Sequence, residues 1–122
     1  MPDTISNITF LSGSTQGRNI KIAATTSPGT TLHTTNASAS IEEQIDLDAC
    51  NVTTGKVTLT IQWGGTTDPD DNFVVDVPAQ VGPVRIVSGL RLRGNGSTGL
   101  VVRAFASVAN AITMNGSVKS IS

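Results

Sequence analysis

From Val57 to Trp63 the chain alternates without a break: Val57, Leu59, Ile61 and Trp63 fall on one side, Thr58, Thr60 and Gln62 on the other. A repeat of two marks a strand with one buried face, because successive side chains leave a pleated backbone in opposite directions. The same rhythm recurs along most of the chain. Ile20, Ile22 and Ala24 alternate with Lys21 and Ala23, and Ile45, Leu47 and Ala49 with Gln44, Asp46 and Asp48. Phe73, Val75 and Val77 alternate with Asn72, Val74 and Asp76. Further short strands are predicted in LHTT (32–35), VRIVS (84–88), LRLRG (90–94), LVVRAFASV (100–108) and ITMNGSVKSI (112–121), with Leu90 and Leu92 turned away from Arg91 and Arg93.

Turn chemistry separates these runs. Pro28-Gly29, NVTTG (51–55), AQVGP (79–83) and NGSTG (95–99) supply the Gly, Pro and Asn that reverse a chain. No window holds a helical period. ASVANAI (106–112) comes nearest and is shorter than a helix needs to be stable on its own. The expectation is therefore an all-β fold: an antiparallel β-sandwich of jelly-roll type with eight or nine short strands, occupying residues 19–122. An immunoglobulin-like winding and a small closed barrel are the alternatives, although an immunoglobulin domain proper carries a Cys–Trp–Cys arrangement that is absent here. Residues 1–18 read as an N-terminal arm or edge strand. They carry Ile5, Ile8, Phe10 and Leu11 and then the flexible run SGSTQGR (12–18).

Length and charge narrow the function. A chain of 122 residues suffices for one sandwich-sized core. With 14% charged residues and a net charge of −1, no electrostatic footprint for nucleic acid or an anionic membrane is expected. The polar surface is built from Ser and Thr, and with no Tyr, one Trp and three Phe there is no stacking platform for bases. The single Cys50 excludes an internal disulfide and argues against a thiolate metal site. MPDTISNITFLSG lacks the basic and apolar regions of a secretory signal, and no apolar run approaches a membrane span, so assembly in a reducing compartment is expected.

Three places carry chemistry worth weighing. The stretch IQWGGTTDPDDN (61–72) brings Asp68, Asp70 and Asp71 together beside Thr66 and Thr67. Carboxylate, hydroxyl and carbonyl oxygens are what a calcium ion collects. The spacing is not that of an EF-hand, and Asp, Gly and Pro are equally the residues of a solvated inter-strand turn. The assignment is no metal and no cofactor, with these three aspartates as the nearest candidate. His33 is the only histidine and Cys50 the only thiol. A general base needs a nucleophile and an orienting partner, and a reactive thiol needs a neighbour that favours the thiolate. The sequence places none beside them, so His33 is expected to be a surface or packing residue and Cys50 a small buried hydrophobe. No nucleophile elbow, zinc-protease, phosphate-loop or dinucleotide motif occurs, so no catalytic residue is assigned and an enzyme is not expected. Arg85, Arg91, Arg93 and Arg103 are expected on neighbouring strands, either as a ridge facing an acidic partner or as charge that protects sheet edges.

Laid end to end, three segments resemble a known group. GRNIKIAATTSPGTTLHT, VTLTIQWGGTTDPDDNFVVDVPAQVGPVRIVSGLRLRG and GLVVRAFASVANAITMNGSVKSI, within residues 17–121, are similar to small tailed-bacteriophage virion structural proteins of the capsid decoration (cement) type. The markers are the GGTT-D turn after a strand, the VPAQ-G turn and the LVVRAFAS-AN segment, all of them structural. The resemblance implies a β-sandwich subunit of the virion, assembled in the host cytoplasm. It would bind the major capsid protein or other virion subunits as a homo-oligomer, a trimer or dimer, without nucleic acid or membrane partners. The apolar arm Ile5, Ile8, Phe10 and Leu11 is the expected contact with a neighbouring subunit or the capsid, separable from a folded domain by deleting residues 2–14. A neck, tail or head-fibre component is the nearest alternative. A carbohydrate-binding module for host attachment, using Trp63 and the aspartate turn, is a further one.

Overall fold

The computed structural model describes residues 8–121. Nine strands form, and no helix is present among the described residues: β1 (Ile8–Phe10), β2 (Ile20–Lys21), β3 (Thr30–Thr34), β4 (Glu42–Asn51), β5 (Val57–Trp63), β6 (Asn72–Val77), β7 (Val84–Leu92), β8 (Val101–Ala106) and β9 (Ile112–Ile121). They make two wholly antiparallel sheets. One runs β1-β9-β4-β7, with β2 also paired to β9; the other runs β3-β8-β5-β6. The alternation read from the sequence is the reason for this architecture. Each strand has one apolar face, and the only way to remove both sets of faces from water is to stack the sheets with those faces inward.

The core lies between the sheets. Ile45, Leu47, Ala49, Ile112, Met114 and Val118 come from the first sheet, and Leu32, Val57, Leu59, Ile61, Val102, Ala104 and Ala106 from the second. The longest register joins β4 to β9 over ten residues, from Glu42 opposite Ile121 to Asn51 opposite Ile112. The predicted inward faces of β4 and β5 are thus confirmed, and Ile20 and Ile22 are buried as expected although only Ile20–Lys21 pairs as a strand. ASVANAI is divided between the end of β8, a turn and the start of β9.

Three readings need correction. Trp63 closes the inward face of β5 only half-buried, its ring 6.0 Å from that of Phe73 at the rim of the sandwich. Phe73 itself is exposed, since β6 is an edge strand with no strand beyond it among the described residues. Leu90 is also exposed. The pairing of β4 with β7 shifts register between Ile45 and Asp48, and Gly89 opposite this irregularity has a φ of 66° that a side chain would resist. The bulge turns the end of β7 out of the phase that strict alternation assumes.

Candidate functional site

The aspartate stretch is a turn that satisfies itself. Trp63 N–H donates to the Asp71 carbonyl (2.7 Å), and Asp71 N–H to the Thr67 carbonyl (2.9 Å). The Asp71 carboxylate accepts from Thr67 N–H (3.0 Å), and that of Asp68 from the Asn72 side-chain amide (2.9 Å). A Cβ at Gly65 would meet Asp71 Oδ2, so with a larger residue there the carboxylate would have to shift from its place over the chain. Asp70 is exposed and turned to solvent. Among the described residues no group of three His, Cys, Asp or Glu side chains is placed to hold a metal ion, and Asp68, Asp70 and Asp71 are not drawn together as one.

His33 is the centre of the most elaborate polar arrangement. It lies on β3 in one sheet, and Glu43 lies on β4 in the other; their side chains meet between the sheets, His33 Nε2 to Glu43 Oε1 at 2.6 Å. The second ring nitrogen, Nδ1, accepts from Ser12 N–H at 2.9 Å. That bond fixes the tautomer: Nδ1 must present a lone pair, so the ring proton is on Nε2 and is donated to Glu43. Glu43 Oε2 accepts from Asn36 N–H (3.2 Å), and Ser12 Oγ from Thr34 N–H (2.8 Å). Ser, His and Glu are the residue types of a hydrolytic triad, but the geometry differs. The imidazole lone pair is spent on a main-chain N–H, and the serine hydroxyl points to another strand. The node instead staples the N-terminal segment to both sheets. Sequence reasoning passed over Glu43, although it stands in phase with Ile45, Leu47 and Ala49 and so was bound to face inward.

Two further buried polar side chains act in the same way. Gln62 Oε1 accepts from Gly29 N–H (2.8 Å) and its Nε2 donates to Ser27 Oγ (2.9 Å), which pins the 27–29 loop over β5. Asn51 donates from Nδ2 to the carbonyls of Gly55 and Val77, and its Oδ1 accepts from Thr53 N–H and Oγ1. Cys50 is a free, half-buried thiol at the end of β4, against Gly82.

The four arginines do not gather. Arg85 and Arg91 lie on β7, and Arg93 just beyond it, whereas Arg103 is on β8 in the other sheet. Arg85 pairs with Asp48 and Asp46 across the β4–β7 ladder, Arg91 with Glu42, and Arg93 donates to the Ala39 carbonyl. Hydrogen bonding to Asp48 and its charge raise the Arg85 pKa further above its ordinary value. Of the two alternatives, the ridge does not form: Arg85 and Arg91 stand in a ladder interleaved with carboxylates on the edge strand β7. On the opposite sheet the Thr58 hydroxyl, and then the Lys56 ammonium, hold the Asp76 carboxyl below its ordinary value.

The N-terminal segment is divided. Ile5 lies outside the described residues. Ile8 and Phe10, 55% and 59% exposed, sit on the short edge strand β1 beside β9, with the Phe10 ring over Gly17. Leu11 is a correction: only 1% exposed, it belongs to the sandwich's own core and cannot contact a neighbour. No family model matches the chain, and neither the curated proteins nor the solved structures contain a match to it.

Proposed function

We propose that this chain is a structural subunit of a tailed-phage virion, a decoration or cement protein that binds the major capsid protein of the assembled head and does no chemistry of its own. The observation that carries the reading is the free edge at β1. There Ile8 and Phe10 hold apolar surface in water beside a shallow groove lined by Gly17, Asn115 and Gly116. An apolar edge kept exposed is costly unless a partner covers it, and exposed apolar patches mark protein-binding surfaces. The winding supports the same reading. A sheet ordered β2-β9-β4-β7 facing one ordered β3-β8-β5-β6 is what eight strands make when rolled as two Greek keys, and we read the sandwich as a jelly roll, an architecture used by viral shell subunits. The resemblance over residues 17–121 points the same way and covers both sheets.

The test is sedimentation of purified protein with undecorated phage heads. The intact chain is expected to co-sediment, and a chain lacking residues 2–10 to remain folded and stay in the supernatant. The boundary matters, because removal of residues 2–14 also takes Leu11 and Ser12, which the fold needs. Co-sedimentation of the shorter chain at full stoichiometry would refute the role of β1. Failure of the intact chain to bind any head, neck or tail preparation would refute the virion assignment.

A further inference from the structure

Among the described residues the sandwich has four free strand edges, and three of them are blunted against pairing. The edge at β1 and β2 is broken into strands of three and two residues. The β3 edge shifts register between Thr31 and His33. The β7 edge carries the Gly89 bulge. Short strands and bulges are how sheets avoid joining edge to edge. Edge strand β6, Asn72–Val77, has neither. Its register with β5 is unbroken from Val57 opposite Val77 to Gln62 opposite Asn72, it contains no proline or lysine, and Val74 is 65% exposed on its outer face.

The hydrogen-bond phase identifies what this edge offers. Trp63 N–H bonds to the Asp71 carbonyl, so in the β5–β6 ladder the odd-numbered residues Phe73, Val75 and Val77 turn their main-chain groups toward β5. The main-chain groups of Val74 and Asp76, and the carbonyl of Asn72, therefore point away from the sheet with no partner strand among the described residues.

We propose that β6 pairs antiparallel with β6 of a second copy of this chain, about a two-fold axis through Val74, joining two four-stranded sheets into one of eight. The sequence is self-complementary about that point. Val74 N–H donates to the carbonyl of the partner's Val74, and Asp76 N–H to the carbonyl of the partner's Asn72, each bond repeated by symmetry. On the outer face Val74 meets its own mate, and the Asn72 amide meets the carboxylate of the partner's Asp76. On the inner face Phe73 meets the partner's Val75. A register displaced by two residues, centred on Val75, would set Val74 against Asp76 and is disfavoured. The pairing also closes the apolar groove of ≈ 330 Å³ between β6 and β7, where Phe73, Val75, Ile86 and Leu90 are incompletely covered.

The dimer stands or falls without the virion reading. If that reading holds, pairing through β6 leaves the two β1 edges at opposite ends, since β1 lies on the β3 side of the sandwich, tied there through Ser12 and His33. The unit would then bridge two capsid sites at once, with the avidity that follows.

The experiment is sedimentation velocity of the isolated protein over a wide concentration series, with no phage component present. Wild type is expected as a reversible dimer. Val74→Lys, on an exposed outer face, should raise the dissociation constant at least about tenfold, through like charges meeting on the axis, with its circular dichroism unchanged. As a second arm, Val74→Cys in a Cys50→Ser background should oxidise to a disulfide-linked dimer, since opposed Cα atoms in such a pair lie about 5.5 Å apart. Phe10→Cys in the same background should not. A wild-type chain that stays monomeric at its highest soluble concentration, a Val74→Lys dimer of undiminished affinity, or equal cross-linking from Phe10→Cys would each overturn the proposal. Head binding fails or succeeds independently of all three.

Discussion

His33 and Glu43 show how one buried bond joins distant parts of this chain. Their contact crosses from one sheet to the other, and the far side of the imidazole holds the main chain at Ser12. Removing one member of such a set costs more than the set contributes, because the survivors keep their desolvation and lose their bonds. His33→Ala leaves the Glu43 carboxylate and Ser12 N–H facing a cavity. An expected loss of about 1–3 kcal/mol in urea unfolding follows for each stranded group. The double variant His33→Leu, Glu43→Leu should lose less than the two single losses added, since neither side chain then leaves the other unpaired inside. The Ser12 and Asn36 N–H groups lose their acceptors just as they do in the single variants. Strict additivity would mean that the contact carries no coupling and the node does not act as a staple. The presence of Glu43 inside was readable from its phase in β4. Its partner was not, because nothing in the local pattern of LHTT records a contact ten residues away across a loop.

Among the elements, β9 is placed where failure costs most. It pairs with β1, β2 and β4, and it does so through a glycine at its centre: a Cβ on Gly116 would run into the Asp46 carbonyl oxygen. The two strands approach so closely there that even a methyl group must push β9 away from β4 along their ten-residue register. Gly116→Ala is expected to destabilise by about 1–3 kcal/mol or more, the scale of overpacking, and to accelerate amide exchange at Leu47 and Val118. Wild-type exchange in both strands would show that the backbone relaxes without loss. Element by element, the strands were legible because alternation is local and each strand's apolar face is read from its own residues. The exceptions have a common cause. Phe73 was placed in phase with Val75 and Val77, and Leu90 opposite Arg91 and Arg93, yet both are exposed on the edge strands β6 and β7, Leu90 with the Gly89 bulge beside it. Whether a face is covered depends on the neighbouring strand, which a single strand's pattern cannot specify. The arginine ladder was misplaced for the same reason: Arg91 and Arg103 sit on strands of different sheets.

The whole molecule inverts the order of the chain, since its last strand is central and its first is an edge. β4, laid down near the middle of the sequence, finds its ten-residue partner only when β9 arrives, and the sandwich cannot close before that. The two ends should therefore tolerate truncation very differently. A chain without residues 2–10 loses the exposed edge strand β1 and keeps every core residue among those described. A chain ending after Ala111 loses Ile112, Met114 and Val118 from the core and leaves β4 paired on one side only, a long edge with Ile45, Leu47 and Ala49 uncovered. The expected outcome is a cooperative unfolding transition for the first fragment and none for the second, followed by tryptophan fluorescence of Trp63 during urea titration. Trp63 reports from β5, in the opposite sheet to the missing strand. A cooperative transition in the 1–111 fragment would therefore mean that β3, β8, β5 and β6 fold as a unit of their own. Four strands with one apolar face open to water have no second layer to bury it, so the sheets are expected to fold together or not at all.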